Sequence, residues 1–273
     1  MEPFDGNLFA VCLAGATLAG LAVYHSVAGY YHYRYYVRRR HEPETWKCQP
    51  ARFLTARMHR KAIRVGTANL TLAGMITGIC VYGVASGALK TPIYTDVAEY
   101  GWAYTLGMTA VLFVLVDCIN YWVHRAMHVK FLFKHIHHRH HRYVATTPYV
   151  ATAMHPAELL VQQLASFVPL FFIPVHAASA AGVLLYILAY NVVDHSGVRL
   201  VSVLPWQPTS RYHDDHHAHF HVNYGQHLMI WDRLFGTLRR QNRRYGEDVF
   251  GGRGVREATV GGERATADPF VRY

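Results

Sequence analysis

The chain has 273 residues, of which 52% are apolar and only 16% are charged, and its formal net charge is +10. This composition excludes a disordered or acidic chain and fits one domain or one membrane-embedded unit. Histidine is unusually frequent, because the 20 histidines outnumber the 17 acidic residues. Sixteen of the histidines lie between His124 and His227, which indicates a histidine-rich site rather than scattered side chains.

Four stretches of the sequence carry no formal charge, apart from Asp117, over lengths that are relevant to crossing a membrane. They are residues 6–33, 65–89, 100–123 and 159–193. Each of the first three predicts a helix of about 20 residues, enough to cross the hydrocarbon core. The residues before the first stretch lack the basic start of a cleaved signal, so we expect this helix to stay as an anchor. The fourth is interrupted by Pro169 and Pro174 and predicts a hairpin of two short helices.

Basic residues are distributed unevenly between the connecting segments. Residues 34–64 hold ten Lys or Arg against two acids, and residues 124–156 hold five basic residues and no acid. Residues 90–99 carry one lysine and two acids. The positive-inside rule therefore predicts that the first two segments and the C-terminal region face the cytoplasm. Every histidine cluster then lies at that face.

The expected fold is an all-α integral membrane protein. It has about three spans, a short helical hairpin and a cytoplasmic helical cap that carries the histidines. We expect a single domain over residues 1–254, with its histidine-bearing part at 117–238. The Gly- and Arg-rich residues 255–273 are expected to form a flexible tail.

Three spaced histidine motifs follow one another along the chain. They are HRAMH, with His124 and His128, then HxxHH, with His137, His140 and His141, and a second HxxHH, with His213, His216 and His217. On a helix, residues three and four apart share a face. Four protein ligands close a zinc site, so eight imidazoles are too many for one ion and suit two. Imidazole suits iron, zinc or copper.

An acid lies within the third apolar stretch. Asp117 is expensive to bury in a membrane span and is a functional-site hypothesis by default. We expect it to accept the N–H of a ligating imidazole and so fix its tautomer. Asp117, Tyr121 and Trp122 are expected to line the floor of a lipid cavity, and the alternative for Tyr121 and Trp122 is an interfacial aromatic belt.

The order of these motifs, HxxxH, HxxHH, single His and HxxHH, resembles that of the fatty acid hydroxylase/sterol desaturase superfamily of membrane di-iron oxidases. Further elements of this sequence are similar to the sterol desaturase-like members. They are WKCQP at 46–50, MHPAE at 154–158, DHSG at 194–197 and HDDHHAHFHVNYGQH at 213–227 followed by WDRLFGT at 231–237. The resemblance covers about residues 36–254.

The resemblance implies metal ligands at the eight motif histidines and at His195. Some members carry a further histidine four residues before that position, where this chain has Asn191. His155 of MHPAE is the other candidate to complete the set. Besides Asp117, the acids expected to support the site or cap its helices are Asp194, Asp214 and Asp215, together with Glu158 of MHPAE.

The resemblance also implies the cofactor and the reaction. Two iron ions would use O2 and two electrons to hydroxylate or desaturate a C–H position of a lipid, and zinc can replace iron during preparation. WKCQP, HPxE and DHSG favour relatives that act on sterols, of the C-5 desaturase or C-4 methyl oxidase type. Fatty acyl, sphingoid and natural-product substrates are the alternatives to a sterol.

An external electron donor is expected, because the sequence contains no haem, flavin or iron–sulfur motif. The resemblance implies a cytochrome b5-type protein or a ferredoxin. The basic surface with Arg239, Arg240, Arg243 and Arg244 would attract an acidic donor or, alternatively, anionic headgroups of the membrane lipids.

Two other classes remain as alternatives, a zinc-dependent membrane hydrolase and a metal transporter. Transport is disfavoured because the spans hold little polar beyond Asp117. No nucleic-acid partner is expected, because the positive charge follows the predicted topology. The predicted location is the endoplasmic reticulum in a eukaryote and the inner membrane in a bacterium.

Overall fold

The computed structural model describes residues 4–202 and 207–256, and these residues are mostly helical. The α-helices are α1 (Gly6–Tyr31), α2 (Pro43–Trp46), α3 (Ala56–Ala85), α4 (Trp102–Met127), α5 (Lys130–Leu132), α6 (His138–His141), α7 (Pro156–Phe167), α8 (Ala177–Asp194), α9 (Ser210–His219) and α10 (Ile230–Phe235). π-Helical turns cover His32–Val37 and Phe133–His137, and 3₁₀ turns cover Val97–Glu99, Pro148–Val150 and Val168–Phe171. Two-residue strands, β1 (Arg243–Arg244) and β2 (Val255–Arg256), pair antiparallel. The predicted all-α class is confirmed.

Four helical segments are long and apolar enough to cross a membrane. They are Gly6–Val37, which is α1 with its π-helical extension, and α3, α4 and α8. The hairpin predicted for the fourth apolar stretch is formed by α7 and α8. Its second arm is longer than predicted, since α8 has 18 residues and meets the length of a span.

These helices expose apolar side chains on their outer faces. Leu18 on α1, Ile79 on α3 and Leu106 on α4 are all exposed. A helix that is apolar on all sides is typical of a membrane span, where lipid rather than protein covers the outer face. The helices therefore form an integral membrane bundle.

Helices α1 and α3 approach closely through two glycines. A Cβ atom on Gly74 would lie 2.6 Å from the Cα of Thr17, and one on Gly78 would lie 2.5 Å from the Cα of Leu13. The two glycines form a GxxxG motif, which lets two membrane helices pack backbone to backbone. This contact fixes α1 against α3.

The core of the bundle lies where α1, α3, α7 and α8 meet the 3₁₀ turn at Pro148–Val150. Its buried side chains include Tyr24, Leu70, Met154 and Val192. The hydroxyl of Tyr24 also donates to the carbonyl of Tyr149 at 2.9 Å. The end of α4, the segment after it and α9 pack next to this core and carry the histidine motifs.

The predicted tail lies almost wholly outside the described residues. Within the described part, Val255 and Arg256 form β2. The remainder, residues 257–273, has no described structure.

Candidate metal centre

The structure collects nine histidines into two adjacent groups. The five-histidine group consists of His124, His128, His137, His141 and His216, and the four-histidine group consists of His140, His195, His213 and His217. Within each group, one ring nitrogen of every member lies within 4.8 Å of those of the others. Two nitrogens on opposite sides of one ion, each about 2.1 Å from it, are about 4.2 Å apart. Each group is therefore about the size of one metal site.

The two HxxHH motifs are divided between the groups. In the first motif, His137 and His141 join the five-histidine group and His140 joins the other. In the second, the assignment is reversed, because His216 alone joins the five-histidine group. In each motif, the two histidines spaced i and i+4 thus belong to the same group, and the histidine at i+3 belongs to the other group. Both motifs contribute to both groups.

Local helix geometry allows this division. The first HxxHH begins at the end of the π-helical turn Phe133–His137 and continues in α6. Such single π-helical turns are found frequently at functional sites. The second HxxHH lies on α9, and His195 directly follows the last residue of α8 and caps that helix.

Burial keeps these imidazoles neutral. All members except His124 are buried. Burial lowers the pKa of His137 and of His195 to about 3. It also lowers the pKa of His213 and of His217 well below the usual range for histidine. A neutral imidazole is the form that binds a metal ion.

The separations between ring nitrogens fit shared coordination. The Nε2 atom of His195 lies 3.1 Å from that of His140 and 2.9 Å from that of His213. In the other group, the Nε2 atoms of His137 and His141 are 3.0 Å apart. Two donors at about 2.1 Å from one ion and at right angles are about 3 Å apart. The residues present therefore fit a metal ion in each group.

Four members of the five-histidine group have an acceptor for the Nδ1–H. His124 donates to the carbonyl of Tyr224 at 2.7 Å, and His216 donates to the carbonyl of Val222 at 2.7 Å. His137 donates to the carboxylate of buried Glu158 at 2.6 Å. A carbonyl or carboxylate oxygen can only accept, so the Nε2 atoms of these three rings carry no proton and are free to bind a metal.

The fourth acceptor is another histidine. The Nδ1 atoms of His128 and His221 lie 3.0 Å apart, and Nε2 of His221 donates to the carbonyl of Glu247 at 2.9 Å. The proton of His221 is therefore on Nε2, and its Nδ1 accepts from His128. The Nε2 atom of His128 is left buried without a hydrogen-bond partner among the described residues.

The four-histidine group has fewer such acceptors. His195 donates its Nδ1–H to the carbonyl of Asn191 at 2.7 Å. The Nδ1 atoms of His140, His213 and His217 are buried and have no hydrogen-bond partner within residues 4–202 and 207–256. The two groups thus differ in how firmly their rings are held.

His155 does not join either group. Its Nδ1 accepts the backbone N–H of Ala157 at 3.1 Å, so the side chain caps the start of α7. Asn191 contributes its backbone carbonyl to His195, and its side chain lines the cavity beside the metal centre. Neither side chain provides a tenth imidazole.

The four predicted aspartates lie around the centre but not among the acceptors described above. Asp117 accepts from the backbone N–H of His227 at 3.1 Å and the indole of Trp231 at 2.7 Å, so the predicted bond to a ligating imidazole is not formed. Asp214 accepts from Gln49 and Thr146. Asp215 forms an ion pair with Arg239, and Asp194 is buried at the end of α8. The expectation for Asp117 fails because its partners come from a segment distant in sequence, whereas the supporting roles expected for the other three stay predictions.

A cavity of about 240 Å³ lies beside both groups. Its wall includes His124 and His137 of one group and His140, His195 and His213 of the other. Apolar side chains of α3, α7 and α8 line much of the remainder, including Leu70, Leu159, Phe167, Leu184 and Leu188, and polar side chains such as Asn120, Gln162 and Gln163 line the rest. The cavity thus joins the histidines to the apolar interior of the bundle.

Asp117, Tyr121 and Trp122, expected at the floor of a lipid cavity, do not line this cavity. Tyr121 is buried, and its hydroxyl lies 3.0 Å from Oγ1 of Thr237. Trp122 is exposed, and the guanidinium of Arg125 lies 5.3 Å from its ring centre. Of the two predicted settings, the exposed position of Trp122 resembles that of an interfacial aromatic residue.

Two features of the site have little signal in the sequence. The carbonyls of Val222 and Tyr224 are backbone groups, so the pattern of side chains in the sequence does not predict their role. His221 is one of several histidines outside the three motifs, for which a surface or supporting position is the ordinary expectation. Its contacts with His128 and Glu247 distinguish it from its neighbours.

The fold and the site define a class, that of helical integral membrane proteins with a histidine-rich centre able to hold metal. The family model described as fatty acid hydroxylase matches residues 109–237. Together with the sterol desaturase relatives below, this match supports the fatty acid hydroxylase/sterol desaturase superfamily for this chain. The resemblance inferred from the motifs is confirmed.

The relatives bear sterol-related names. A lathosterol oxidase of Rattus norvegicus is 30% identical over 151 residues, which are 54% of this chain and 50% of that protein. A Delta(7)-sterol 5(6)-desaturase of Aspergillus fumigatus is 34% identical over 140 residues, 51% of this chain and 42% of that protein. The chain spans about half the length of the curated relatives it matches. No solved structure gives a significant match.

Proposed function

We propose that the protein is a membrane di-iron oxidase that hydroxylates or desaturates a lipid, with a sterol as the favoured substrate. The observation that carries this proposal is the convergence of nine imidazoles into two adjacent groups at the wall of an apolar cavity. The proposed ligands are His124, His128, His137, His141 and His216 for one iron and His140, His195, His213 and His217 for the other.

Bound iron would supply the activation of O2 that oxidation of an unactivated C–H bond requires. The chain's own residues then have three tasks. The neutral rings hold the ions, Glu158 and the backbone carbonyls keep those rings in the correct tautomer, and the apolar cavity wall positions the lipid while excluding water. Hydroxylation and desaturation diverge only after the first C–H cleavage, so both fit this arrangement.

The names of the relatives favour a sterol oxidised at the 5(6) position over a C-4 methyl group. The cavity of about 240 Å³ is smaller than the usual ligand pocket of about 300–1,000 Å³. It would enclose the part of the substrate that reacts, and the remainder would lie between the helices. Fatty acyl and sphingoid substrates are the alternatives.

The experiment is a product analysis of the purified, iron-loaded protein in lipid nanodiscs. We expect about two irons per chain and a Δ7-sterol oxidised only when O2 and a reductant are both present. A matched reaction with a fatty acyl lipid distinguishes the substrate classes. Turnover without O2 or reductant would instead indicate a zinc hydrolase, and metal flux without lipid oxidation would indicate a transporter.

We further propose that an external, acidic one-electron donor docks on the histidine-bearing side. Of the four arginines expected there, Arg239 pairs with Asp215 and Arg244 pairs with Asp248. Arg240 and Arg243 instead line a cleft of about 350 Å³ that also contains Arg233 and Arg253, and none of the described residues that line it is acidic. This cleft is the proposed docking surface. By the positive-inside rule, this cleft lies on the cytoplasmic face of the membrane, which would be that of the endoplasmic reticulum in a eukaryote or the inner membrane in a bacterium.

Charge reversal tests the docking surface. The double variant Arg240→Glu/Arg243→Glu should slow turnover with an acidic donor protein, and added salt should reduce the difference from the wild type. Arg57→Glu/Arg60→Glu makes the same change in net charge at the exposed start of α3 and serves as the control. Equal effects in both variants would mean that net charge rather than this cleft attracts the donor. Slower turnover with a small chemical reductant as well would point to anionic lipid or to altered folding.

A further inference from the structure

The four residues His221–Tyr224, here called the acceptor segment, touch three ligands of one group. Nδ1 of His221 lies 3.0 Å from Nδ1 of His128. The carbonyl of Val222 accepts from His216, and the carbonyl of Tyr224 accepts from His124. All three ligands belong to the five-histidine group. The segment makes no such contact with the four-histidine group among the described residues.

The acceptor segment is itself held in an uncommon conformation. Asn223 has a positive φ of 54°, a region that non-glycine residues seldom adopt and that asparagine tolerates better than most. Its backbone N–H donates to the carbonyl of Thr237 at 2.9 Å, and its side chain donates to the carbonyl of Tyr212 at 3.2 Å. These bonds turn the neighbouring carbonyls of Val222 and Tyr224 toward the histidines.

The buried carboxylate of Asp232 anchors the end of the segment. It accepts the backbone N–H of Tyr224 at 2.9 Å and that of Gly225 at 2.6 Å. It also accepts from the hydroxyls of Thr237 and Tyr212. Bonds to an ionised carboxylate are about twice as strong as bonds between neutral groups. Asp232, the acid of WDRLFGT, thus connects that motif to the metal centre.

We infer that the acceptor segment, anchored by Asp232, is a positioning device that fixes the tautomers of His128, His216 and His124 and so secures one of the two metal ions. The inference deepens the proposed function and rests on its metal centre, but not on any oxidation. His221 is a positioning residue, because it acts through His128. Acceptors of this kind typically contribute about 10–100-fold to metal affinity.

The test uses a matched pair of substitutions at His221. His221→Phe keeps an aromatic ring against Phe133 and Phe250, which lie 4.6 and 4.0 Å from the ring centre of His221, but removes the acceptor. His221→Asn places an amide oxygen where Nδ1 lies and keeps the acceptor. His219→Phe, two residues away and outside both groups, is the control.

The measurement is zinc loss from the full-length, Zn²⁺-loaded protein in nanodiscs after addition of EDTA, followed as metal per chain over time. We expect the more tightly held zinc to leave about 10–100-fold faster in His221→Phe. His221→Asn and His219→Phe should stay near the wild type. Wild-type release from His221→Phe would overturn the inference. Equally fast release from His221→Phe and His221→Asn would also overturn it, because packing or direct ligation would then explain the effect.

Asp232→Asn tests the anchor separately, since it replaces one accepting oxygen with a donor. It should accelerate loss of the same zinc and leave the faster-released zinc unchanged. Unchanged release of both ions would reject the role of Asp232. If this variant does not fold, the pair at His221 still decides the inference. Because no step requires a sterol or O2, failure of the proposed oxidase activity would leave these results interpretable.

Discussion

The two histidine groups use the same ligand type but differ in their support. The five-histidine group has an Nδ1 acceptor for four of its rings, whereas the four-histidine group has the carbonyl of Asn191 for one of its rings. A buried N–H without a partner costs about 1–3 kcal/mol. We therefore expect the ion in the four-histidine group to be the more weakly held and the more readily exchanged. Adjacent sites built from one motif can thus differ in function through their surroundings.

The largest expected effect comes from removing one ligand of each group. His141 and His217 are a matched pair, because both rings are fully buried and their ring centres lie 4.8 Å apart. His217→Ala should abolish lipid oxidation and reduce the metal content from about two ions to about one. His141→Ala should also abolish oxidation but retain more metal, since four imidazoles still complete a site. Measurement of metal per chain checks this, and equal metal loss in both variants would contradict the proposed difference.

Glu158 provides the next largest effect. Glu158→Ala removes the carboxylate that His137 contacts at 2.6 Å, and we expect affinity for the ion of the five-histidine group to fall about 10–100-fold. Glu158→Gln keeps an accepting oxygen and should lose less. Gln162→Ala, which removes the 3.2 Å bond from Gln162 to the same carboxylate, is the control. Competition with a chelator measures the affinity, and identical losses in the alanine and glutamine variants would mean that charge, not acceptance, matters.

The sequence predicted much of this centre. Spacing alone identified eight of the nine grouped histidines, because residues four apart on a helix share a face, and hydropathy located the helices. It did not predict that His140 and His216 cross to the opposite groups, because this depends on how α6 and α9 face one another. The role expected for Asp117 was wrong for the same reason, since the segment with His227 and Trp231 folds back onto it from 110 residues away or more. Contacts between distant segments leave no periodic signal.

Asn191→His would make the two groups more alike. Residue 191 lies one turn before His195 on α8, and its side chain lines the cavity with His140 and His213. A histidine there would be a fifth imidazole for the four-histidine group. We expect release of the more weakly held ion to slow about tenfold, the lower end of the effect of one neighbouring group. Release kinetics with EDTA test this, and Asn191→Gln is the control of similar polarity. Unchanged release would mean that position 191 cannot reach the ion.

The smallest expected effect concerns His227, a buried histidine that lies outside both groups, and it tests whether burial alone makes a histidine a metal ligand. His227 is as buried as the grouped histidines, and burial lowers its pKa to about 3, but it belongs to neither group. Such a histidine stays neutral in the folded protein, whereas the unfolded chain takes up a proton below a pH of about 6.5. Its contribution to stability is therefore lost as the pH falls from about 6.5 toward 3. His227→Phe keeps an aromatic ring against Tyr190 and removes one group that binds a proton in the unfolded chain but not in the folded protein.

The free energy of unfolding of His227→Phe should then fall less steeply with decreasing pH, by about 1.4 kcal/mol per pH unit between pH 6 and 4. Thermal unfolding midpoints measured across this range, beside metal content at pH 7.5, check both parts. The metal content should match the wild type, because neither ring nitrogen of His227 has a partner among the described residues and none lies in the two groups. A loss of metal in this variant would add His227 to the centre and weaken the contrast between the groups. An unchanged pH slope would mean that the ring of His227 is accessible to protons in the folded protein.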